Sequence, residues 1–422
     1  MTITLHAPQY ATHVVAPTSK SAAHRALIAA AFADRKTQMQ MRVSCEDIDA
    51  TARCLAALGA TVEKTENGLN ITPIARDAVK KNAVLDCGES GSTLRFLLPV
   101  CATLGADATF LRRGRLPERP LSPLKEELEG KGLQMTERGD MLLTEGRITA
   151  GEYRIAANVS SQYVTGLLFA LSLLDEPSTL TLTGKVESAP YIDMTRDMLA
   201  CFNAPVTVTE NGTVFSVVGY KNAPLRSVGT LVPEGDFSGA AFPLAMGAIG
   251  THAVTVTGLT LPTLQGDSEI LTLLARFGAR VDVRNDGITV SPAPLRGIDI
   301  DAAQIPDLVP VLAVVATAAR GTTHIKNAAR LRLKESDRLA AITAFLRTLG
   351  GDITERDDGL IINGGKPLSG GTVNACGDHR IAMSAAVAAL LTDGTVIIPQ
   401  AECVNKSYPT FFEEAVLATD KE

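Results

Sequence analysis

Apolar residues are distributed along the chain in two alternating textures. The first is a run of small and aliphatic residues with few polar interruptions, entered through a polar loop. It occurs as SKSAAHRALIAAAFA near residue 19, ESGSTLRFLLPVCATLG near 89 and SSQYVTGLLFALSLL near 160. It recurs as GDFSGAAFPLAMGAIG near 235, IPDLVPVLAVVATAARG near 305 and GDHRIAMSAAVAALL near 377. Segments that are apolar on nearly every side predict helices surrounded by protein. The second texture is an amphipathic helix end, usually closed by Gly, followed by two strands around a polar turn of the NG or DG kind. It reads LAALGATVEKTENGLNI from Leu55, LEGKGLQMTERGDMLLT from Leu128, LACFNAPVTVTENGTVF from Leu199, LARFGARVDVRNDGITV from Leu274 and LRTLGGDITERDDGLII from Leu346. Short strands such as STLTLTG, THAVTVTG and GTTHIKN follow the buried segments.

The two textures run in phase with a period of about 72 residues, so the repeat is a whole supersecondary unit rather than a short solenoid turn. Each unit is a loop, a buried helix, a strand, a loop, an amphipathic helix, a strand, a turn and a strand. Six such units account for nearly the whole chain and predict an α/β protein of two similar domains, three units each. The last unit ends in FFEEAVLATDKE without its closing hairpin, and the N-terminal strand TITLHA can supply the missing strand. One domain is then discontinuous, residues 1–18 with 236–422, and the other is 19–235. The chain crosses between them near Ser19 and Gly235.

Composition narrows the chemistry. The chain has 422 residues, 45% hydrophobic and 20% charged, with no Trp and only 4% aromatics, so its core is aliphatic. A formal net charge of −6 without a basic run argues against nucleic acid as a partner. The seven cysteines stand singly, without CxxC spacing or neighbouring histidines, which argues against zinc and a disulfide framework and fits a reducing cytoplasm. The start, MTITLHAPQY, lacks a basic segment followed by an apolar run, which predicts no secretory signal. The longest apolar stretch, Leu308 to Ala319, is too short to span a bilayer.

Polar residues concentrate at the starts of the buried helices. They are Lys20, Ser21 and Arg25; Glu89, Ser90, Ser92 and Arg95; Ser160, Ser161 and Gln162; Glu234 and Asp236; Asp307; and Asp378, His379 and Arg380. Ser and Asp at such positions are ordinary N-caps. Arg25, Arg95 and Arg380 are different, because a guanidinium near a buried helix start calls for an anionic partner. If the six helix starts converge between the domains, they line a cleft with N–H groups, hydroxyls and guanidinium groups. Arg119 in GRLPERP, Lys334, Arg338 and Lys406 in VNKSYP add to it. Such a cleft suits a small polyanion carrying phosphate and carboxylate. Asp307 and Glu335 are the acids available there for proton transfer, or each balances a neighbouring cation.

The stretch RLKESDRLAAI, from Arg332 to Ile342, poses this choice in miniature. It reads as an amphipathic helix from Ser336 onward, with Lys334 and Arg338 at the end where the helix dipole disfavours cations. Either Glu335 and Asp337 pair with them in a solvated surface cluster, or a bound anion completes the charge balance.

In order and spacing, PTSKSAAHRAL, CGESGSTLR, LPERP, SSQY, IPD, RLKESDRL, GDHRIAM and NKSYP resemble the motifs of the 3-phosphoshikimate 1-carboxyvinyltransferase (5-enolpyruvylshikimate-3-phosphate synthase) family, from about Pro17 to Phe412. The resemblance implies two domains of three βαβαββ units, an inside-out α/β barrel closing on its substrates. It implies transfer of the enolpyruvyl group of phosphoenolpyruvate to the 5-hydroxyl of shikimate 3-phosphate, in chorismate and aromatic amino acid biosynthesis, with no metal or cofactor. By motif, Lys20 resembles the lysine touching both substrates, and Ser21 and Arg25 the shikimate ring and carboxylate contacts. Ser160, Ser161 and Ser188 resemble the 3-phosphate ligands, with Gln162 between the two substrates. Gly91, Arg119 and Lys406 resemble the phosphoenolpyruvate phosphate site, Arg338 and Arg380 its carboxylate site, and Lys334 a shikimate 3-phosphate contact. Asp307 matches the base at the 5-hydroxyl and Glu335 the group handling the proton at C3. The partners implied are these two small molecules only, with no nucleic acid, no membrane and a monomeric chain.

The chain departs from the commonest form of the pattern at Thr18, where Gly is usual, and at His24, where Asn is common. GESGS replaces GNAGT, bringing in Glu89 and Ser90, and Arg330 stands where an Asn often contacts the ring. The sister transferase acting on UDP-N-acetylglucosamine carries a Lys-Asn pair and a loop Cys; here the pair is Lys20-Ser21, and RRGRLPERP has no Cys. RNA 3′-phosphate cyclases use a nucleotide, but no P-loop is present. A binding protein that has lost catalysis has no reason to keep both Asp307 and Glu335.

Overall fold

The computed structural model describes residues 1–6, 9–417 and 420–421. The chain divides into two compact units, a continuous one, Lys20–Pro233, and a discontinuous one, Met1–Ser19 with Glu234–Glu422. Among the described residues there are six four-stranded sheets, three in each unit.

The sheets share one topology. In one of them Glu152–Ala156 runs parallel to Ser178–Thr183, and the latter pairs antiparallel with the hairpin Val206–Val208 and Val214–Val217. The buried helix Ser161–Leu173 is the crossover between the two parallel strands, as a parallel pair requires. Along Ser178–Thr183 every second residue is buried, so one face of the sheet packs inward on the helices. The equivalent buried helices are Lys20–Ala31 and Gly91–Leu104 in the continuous unit. In the discontinuous unit they are Phe237–Ile249, Val309–Ala318 and His379–Ala388.

Three sheets are completed by distant parts of the chain, one of them by His13–Val15, which runs parallel to Val254–Thr257. The strand Ile3–His6 pairs antiparallel with Thr395–Ile398 on one side and with Asp420–Lys421 on the other. The N-terminal strand therefore closes the last repeat together with a short C-terminal strand. The parts of the two terminal stretches at Ala7, Ala418, Thr419 and Glu422 lie outside the described residues. In the continuous unit Thr230–Leu231 supplies the parallel partner of Thr37–Gln40. Where the chain leaves and re-enters the discontinuous unit, Thr18 bridges Gly235 antiparallel, and Ser19 N donates to the Glu234 carbonyl at 2.8 Å.

Small residues let the buried helices approach closely. A Cβ at Gly166 would overlap the Arg95 carbonyl oxygen and lie 2.8 Å from Pro99 Cγ, so this crossing of Ser161–Leu173 on Gly91–Leu104 needs a residue with no side chain. Gly166→Ala is expected to cost about 2 kcal/mol by overpacking, read as a lower denaturant midpoint in chemical unfolding. An unchanged midpoint would show that the crossing can relax.

Candidate active site

In the continuous unit the three buried-helix starts meet. Arg25, 2% exposed, donates from Nε to Thr195 Oγ1 at 2.9 Å and from Nη1 to the Ser21 carbonyl at 2.7 Å. Its Nη2 donates to Thr165 Oγ1 at 3.1 Å and to the Tyr191 carbonyl at 2.8 Å. Among the described residues no carboxylate pairs with it. Within the protein, carbonyl and hydroxyl oxygens answer its donors in place of a counter-ion. Burial pushes this guanidinium down to about 10, against the opposing influence of Tyr191. A bound anion would be welcome beside it.

Gln162 joins the other two starts. Its Oε1 accepts from Arg95 Nη1 at 2.9 Å, and its Nε2 donates to Ser92 Oγ at 2.9 Å. A Cβ on Gly91 would fall 2.7 Å from Arg119 Nη1 and 2.8 Å from Arg95 Nη1. Glycine here lets two guanidinium groups lie directly over the first N–H groups of a helix, which is the makings of an anion site. Ser160 is the N-cap of its helix and accepts from Gln162 N at 3.3 Å, Ser161 is the first helical residue, and both belong to this cluster. Ser188, buried and left-handed at φ 55°, precedes the helix Ala189–Cys201 that also supplies Thr195. Lys20 Nζ is held at 2.7 Å by Asp47, in the first turn of the amphipathic helix Glu46–Leu58.

The discontinuous unit gathers a different set around one guanidinium. Arg338 is 1% exposed; Nε meets Asp378 Oδ2 at 2.8 Å, Nη1 meets Asp307 Oδ1 at 2.7 Å, and Nη2 meets Glu335 Oε2 at 2.8 Å. Asp307 also takes Lys334 Nζ at 3.4 Å and Arg380 Nη2 at 3.4 Å. Asp378 caps the helix of Arg380, accepting Arg380 N at 2.9 Å, and takes the Ser336 hydroxyl at 3.0 Å. Lys406, 7% exposed, donates to the Gly377 carbonyl at 2.8 Å, one residue before that cap.

Protonation follows from these contacts. Burial opposes ionisation of Asp307, but Arg380, Lys334 and Arg338 overcome it and hold the carboxyl well below the usual range. Asp378 behaves likewise, with burial outweighed chiefly by Arg338. Burial pushes the Lys334 ammonium down, against the pull of Asp307. Arg338 is raised, since its three acids outweigh its burial.

The structure revises the RLKESDRLAAI stretch. The helix starts at Arg338 rather than Ser336, capped by Asp337, whose Oδ1 accepts from Ala340 N at 3.1 Å. Glu335 does pair with Arg338, but in the interior rather than in a solvated cluster. Asp337 pairs with Arg332 at 3.0 Å rather than with Lys334. Three buried acids were not assigned a charged or polar partner from the sequence. Asp47 reads as an acid favouring a helix dipole, and Asp378 as an N-cap. Asp267 reads as a loop residue, yet it is 2% exposed and accepts from the Ser238 hydroxyl. Burial and then the Asp307 charge push the Asp267 carboxyl up to about 7.

The family model described as EPSP synthase (3-phosphoshikimate 1-carboxyvinyltransferase) matches residues 7–415. The chain belongs to the EPSP synthase family. The 3-phosphoshikimate 1-carboxyvinyltransferase of Clostridium kluyveri is 43% identical over 400 residues, covering 94% of this chain and 92% of that protein. That of Clostridium novyi is 38% identical over 408 residues, covering 94% and 93%. The solved EPSP synthase of Acinetobacter baumannii superposes with a TM-score of 0.80 at 28% identity over 99% of both chains. The enolpyruvyl transferase NikO of Streptomyces tendae shares the fold, with a TM-score of 0.76 at 17% identity over 98% and 96%. EPSP synthases are the shikimate-pathway transferases that move the enolpyruvyl group of phosphoenolpyruvate to shikimate 3-phosphate. No helix among the described residues is long and apolar enough to cross a membrane.

Removing the hub cation should expose what it holds. Arg338→Met leaves Asp378 buried without its main partner, which is expected to cost roughly 3–5 kcal/mol. The pH dependence has a definite sign. A carboxyl with a depressed folded pKa stabilises above its unfolded value and loses that contribution as pH falls through the folded one. In the variant Asp378 can be buried protonated instead. Chemical unfolding should therefore show the full deficit at neutral pH and a smaller one near pH 4. A deficit independent of pH would mean that packing, not charge, is what Arg338 supplies.

Proposed function

We propose that the chain transfers the enolpyruvyl group of phosphoenolpyruvate to the 5-hydroxyl of shikimate 3-phosphate, releasing phosphate. Shikimate 3-phosphate is assigned to Ser21 and Arg25 for ring and carboxylate, to Ser160, Ser161 and Ser188 for the phosphate, and to Lys334. Phosphoenolpyruvate is assigned to Gly91, Arg119 and Lys406 for its phosphate and to Arg338 and Arg380 for its carboxylate. Lys20 and Gln162 touch both. The observation that carries the reading is that one buried guanidinium, Arg338, holds both candidate proton-transfer acids, Asp307 and Glu335, each side chain still 17% exposed.

That arrangement suggests how binding prepares the chemistry. Asp307 and Glu335 occupy the cations to which the phosphoenolpyruvate carboxylate is assigned. An arriving carboxylate competes with them for Arg338 and Arg380. Glu335, losing its cation, becomes easier to protonate and can deliver a proton to C3. The cationic character this creates at C2 draws in the 5-hydroxyl, whose proton passes to Asp307. The tetrahedral intermediate collapses when C3 returns a proton to Glu335 and the C2–O bond to phosphate breaks. Arg119, Lys20 and Lys406 neutralise the leaving phosphate. No step calls for a metal or cofactor. The reading also takes the protein as a cytoplasmic monomer.

The test is phosphate release from phosphoenolpyruvate with shikimate 3-phosphate and UDP-N-acetylglucosamine offered separately. Release is expected only with shikimate 3-phosphate; release with neither acceptor would return the chain to a binding role. Asp307→Asn and Glu335→Gln are each expected to lower kcat by roughly 100- to 10,000-fold while calorimetry still detects shikimate 3-phosphate binding. Near-normal turnover in either variant would remove that residue from its role.

A further inference from the structure

Beside the Gly91 helix start lies a set of buried side chains that the assignments above leave unused. His24 Nδ1 is 2.7 Å from Thr51 Oγ1, Thr51 Oγ1 is 2.7 Å from Thr93 Oγ1, and Thr93 Oγ1 donates to Ser90 Oγ at 2.8 Å. All four residues are at most 1% exposed. The last bond sets the direction of the others. Thr93 has one hydroxyl proton, and Ser90 Oγ at 2.8 Å takes it in preference to the Asp47 carbonyl at 3.5 Å, so Thr93 accepts from Thr51, and Thr51 in turn accepts from His24. His24 is then the neutral Nδ1–H tautomer, and its buried Nε2, which has no hydrogen-bond partner, is a bare lone pair rather than an orphaned N–H. Burial, followed by the charges of Lys20 and Arg25, holds the imidazole well below its usual range, in keeping with the neutral form.

At the other end, Ser90 Oγ accepts twice, from Thr93 Oγ1 and from Thr93 N at 3.2 Å. Both lone pairs are used, and only its own O–H remains to be given. Among the described residues none accepts it. Ser90 immediately precedes Gly91, where Arg119 and Arg95 converge on the helix start. His24 and Ser90 are also two of the positions at which the chain departs from the commonest motif, and they are the two ends of this one chain of hydrogen bonds.

We propose that the His24–Thr51–Thr93 chain orients the Ser90 hydroxyl as an additional donor to the phosphate of phosphoenolpyruvate at Gly91. Ser90 is then a specificity-determining contact, and His24 and Thr51 are positioning residues acting through it. The proposal rests on the reading of this helix start as a phosphoenolpyruvate site. It separates phosphoenolpyruvate from shikimate 3-phosphate, since the latter is assigned elsewhere.

Steady-state kinetics on the full chain test it. Ser90→Ala is expected to raise KM for phosphoenolpyruvate about tenfold, the worth of a hydrogen bond to a charged group, with kcat and KM for shikimate 3-phosphate within about threefold. Ser90→Thr keeps both cap and hydroxyl and should restore KM. Thr51→Val breaks the chain at constant shape and should raise the same KM, whereas Thr51→Ser should not. The double variant Ser90→Ala/Thr51→Val should lose no more than Ser90→Ala alone, because both changes remove one interaction. An unmoved KM in Ser90→Ala, or additive losses in the double variant, would overturn the proposal while leaving the transferase reading standing. An unsubstituted protein that releases no phosphate with shikimate 3-phosphate would overturn that reading, and the ligand named here with it.

Discussion

A guanidinium with almost no access to water must have its donors answered from within the protein, and Arg338 is met by three acids. Asp307, Glu335 and Asp378 come from the starts of three different helical segments, 31, 3 and 40 residues away in sequence. Leaving any of these charges unpaired in the interior costs several kcal/mol, so the three loops have little freedom to move apart. The same contacts hold Asp307 ionised and aim two carboxylates at one place. Structure and chemistry are thus coupled through a single side chain, and the acids take the places proposed for substrate carboxylate.

The repeat makes such a hub possible. Each buried helix begins at the end of a parallel strand and presents its N-terminal N–H groups at the same edge of the unit, and four carry a capping side chain, Ser90, Ser160, Asp236 and Asp378. Glycine at Gly166 and Gly91 allows close approach, in one case of backbone to backbone and in the other of guanidinium to helix start. A recurring step of 27 residues joins the start of a buried helix to the segment entering the next amphipathic helix. Lys20 meets Asp47 across it, and Asp307 meets Lys334 with the charges reversed. One scaffold contact therefore carries a cation toward the site in the first repeat and an acid in the fifth. His24 and Thr51 are also 27 apart, one turn further along the same pair of segments.

Much of this was legible beforehand, in an uneven way. Arg25, Arg95 and Arg380 stood out because guanidinium groups near greasy helix starts are costly without a reason, and Arg119, Lys334, Arg338 and Lys406 were added to them. Ser160 and Asp378 read as caps, Ser160 also as a phosphate ligand by resemblance, and the structure uses both as caps. At Arg25, marked as calling for an anion, the protein's own contacts are neutral oxygens from Thr195, Ser21, Thr165 and Tyr191. The helix after Lys334 began later than its apolar spacing suggested, because Asp337 caps it better than Ser336, whose hydroxyl is engaged by Asp378.

By itself the sequence determined the six-fold repetition, the buried character of one helix in each repeat, and the need for a partial strand from the N-terminus. These are periodicities and local propensities, written in residues that are neighbours along the chain. Only the tertiary structure decided which acid meets which cation, that Asp267 is interior, and that His24 reaches Ser90 through two threonines. Charge and hydrogen bonding depend on separation in space, and the packed sheets and helices bring together side chains whose separation along the chain gives no sign of it.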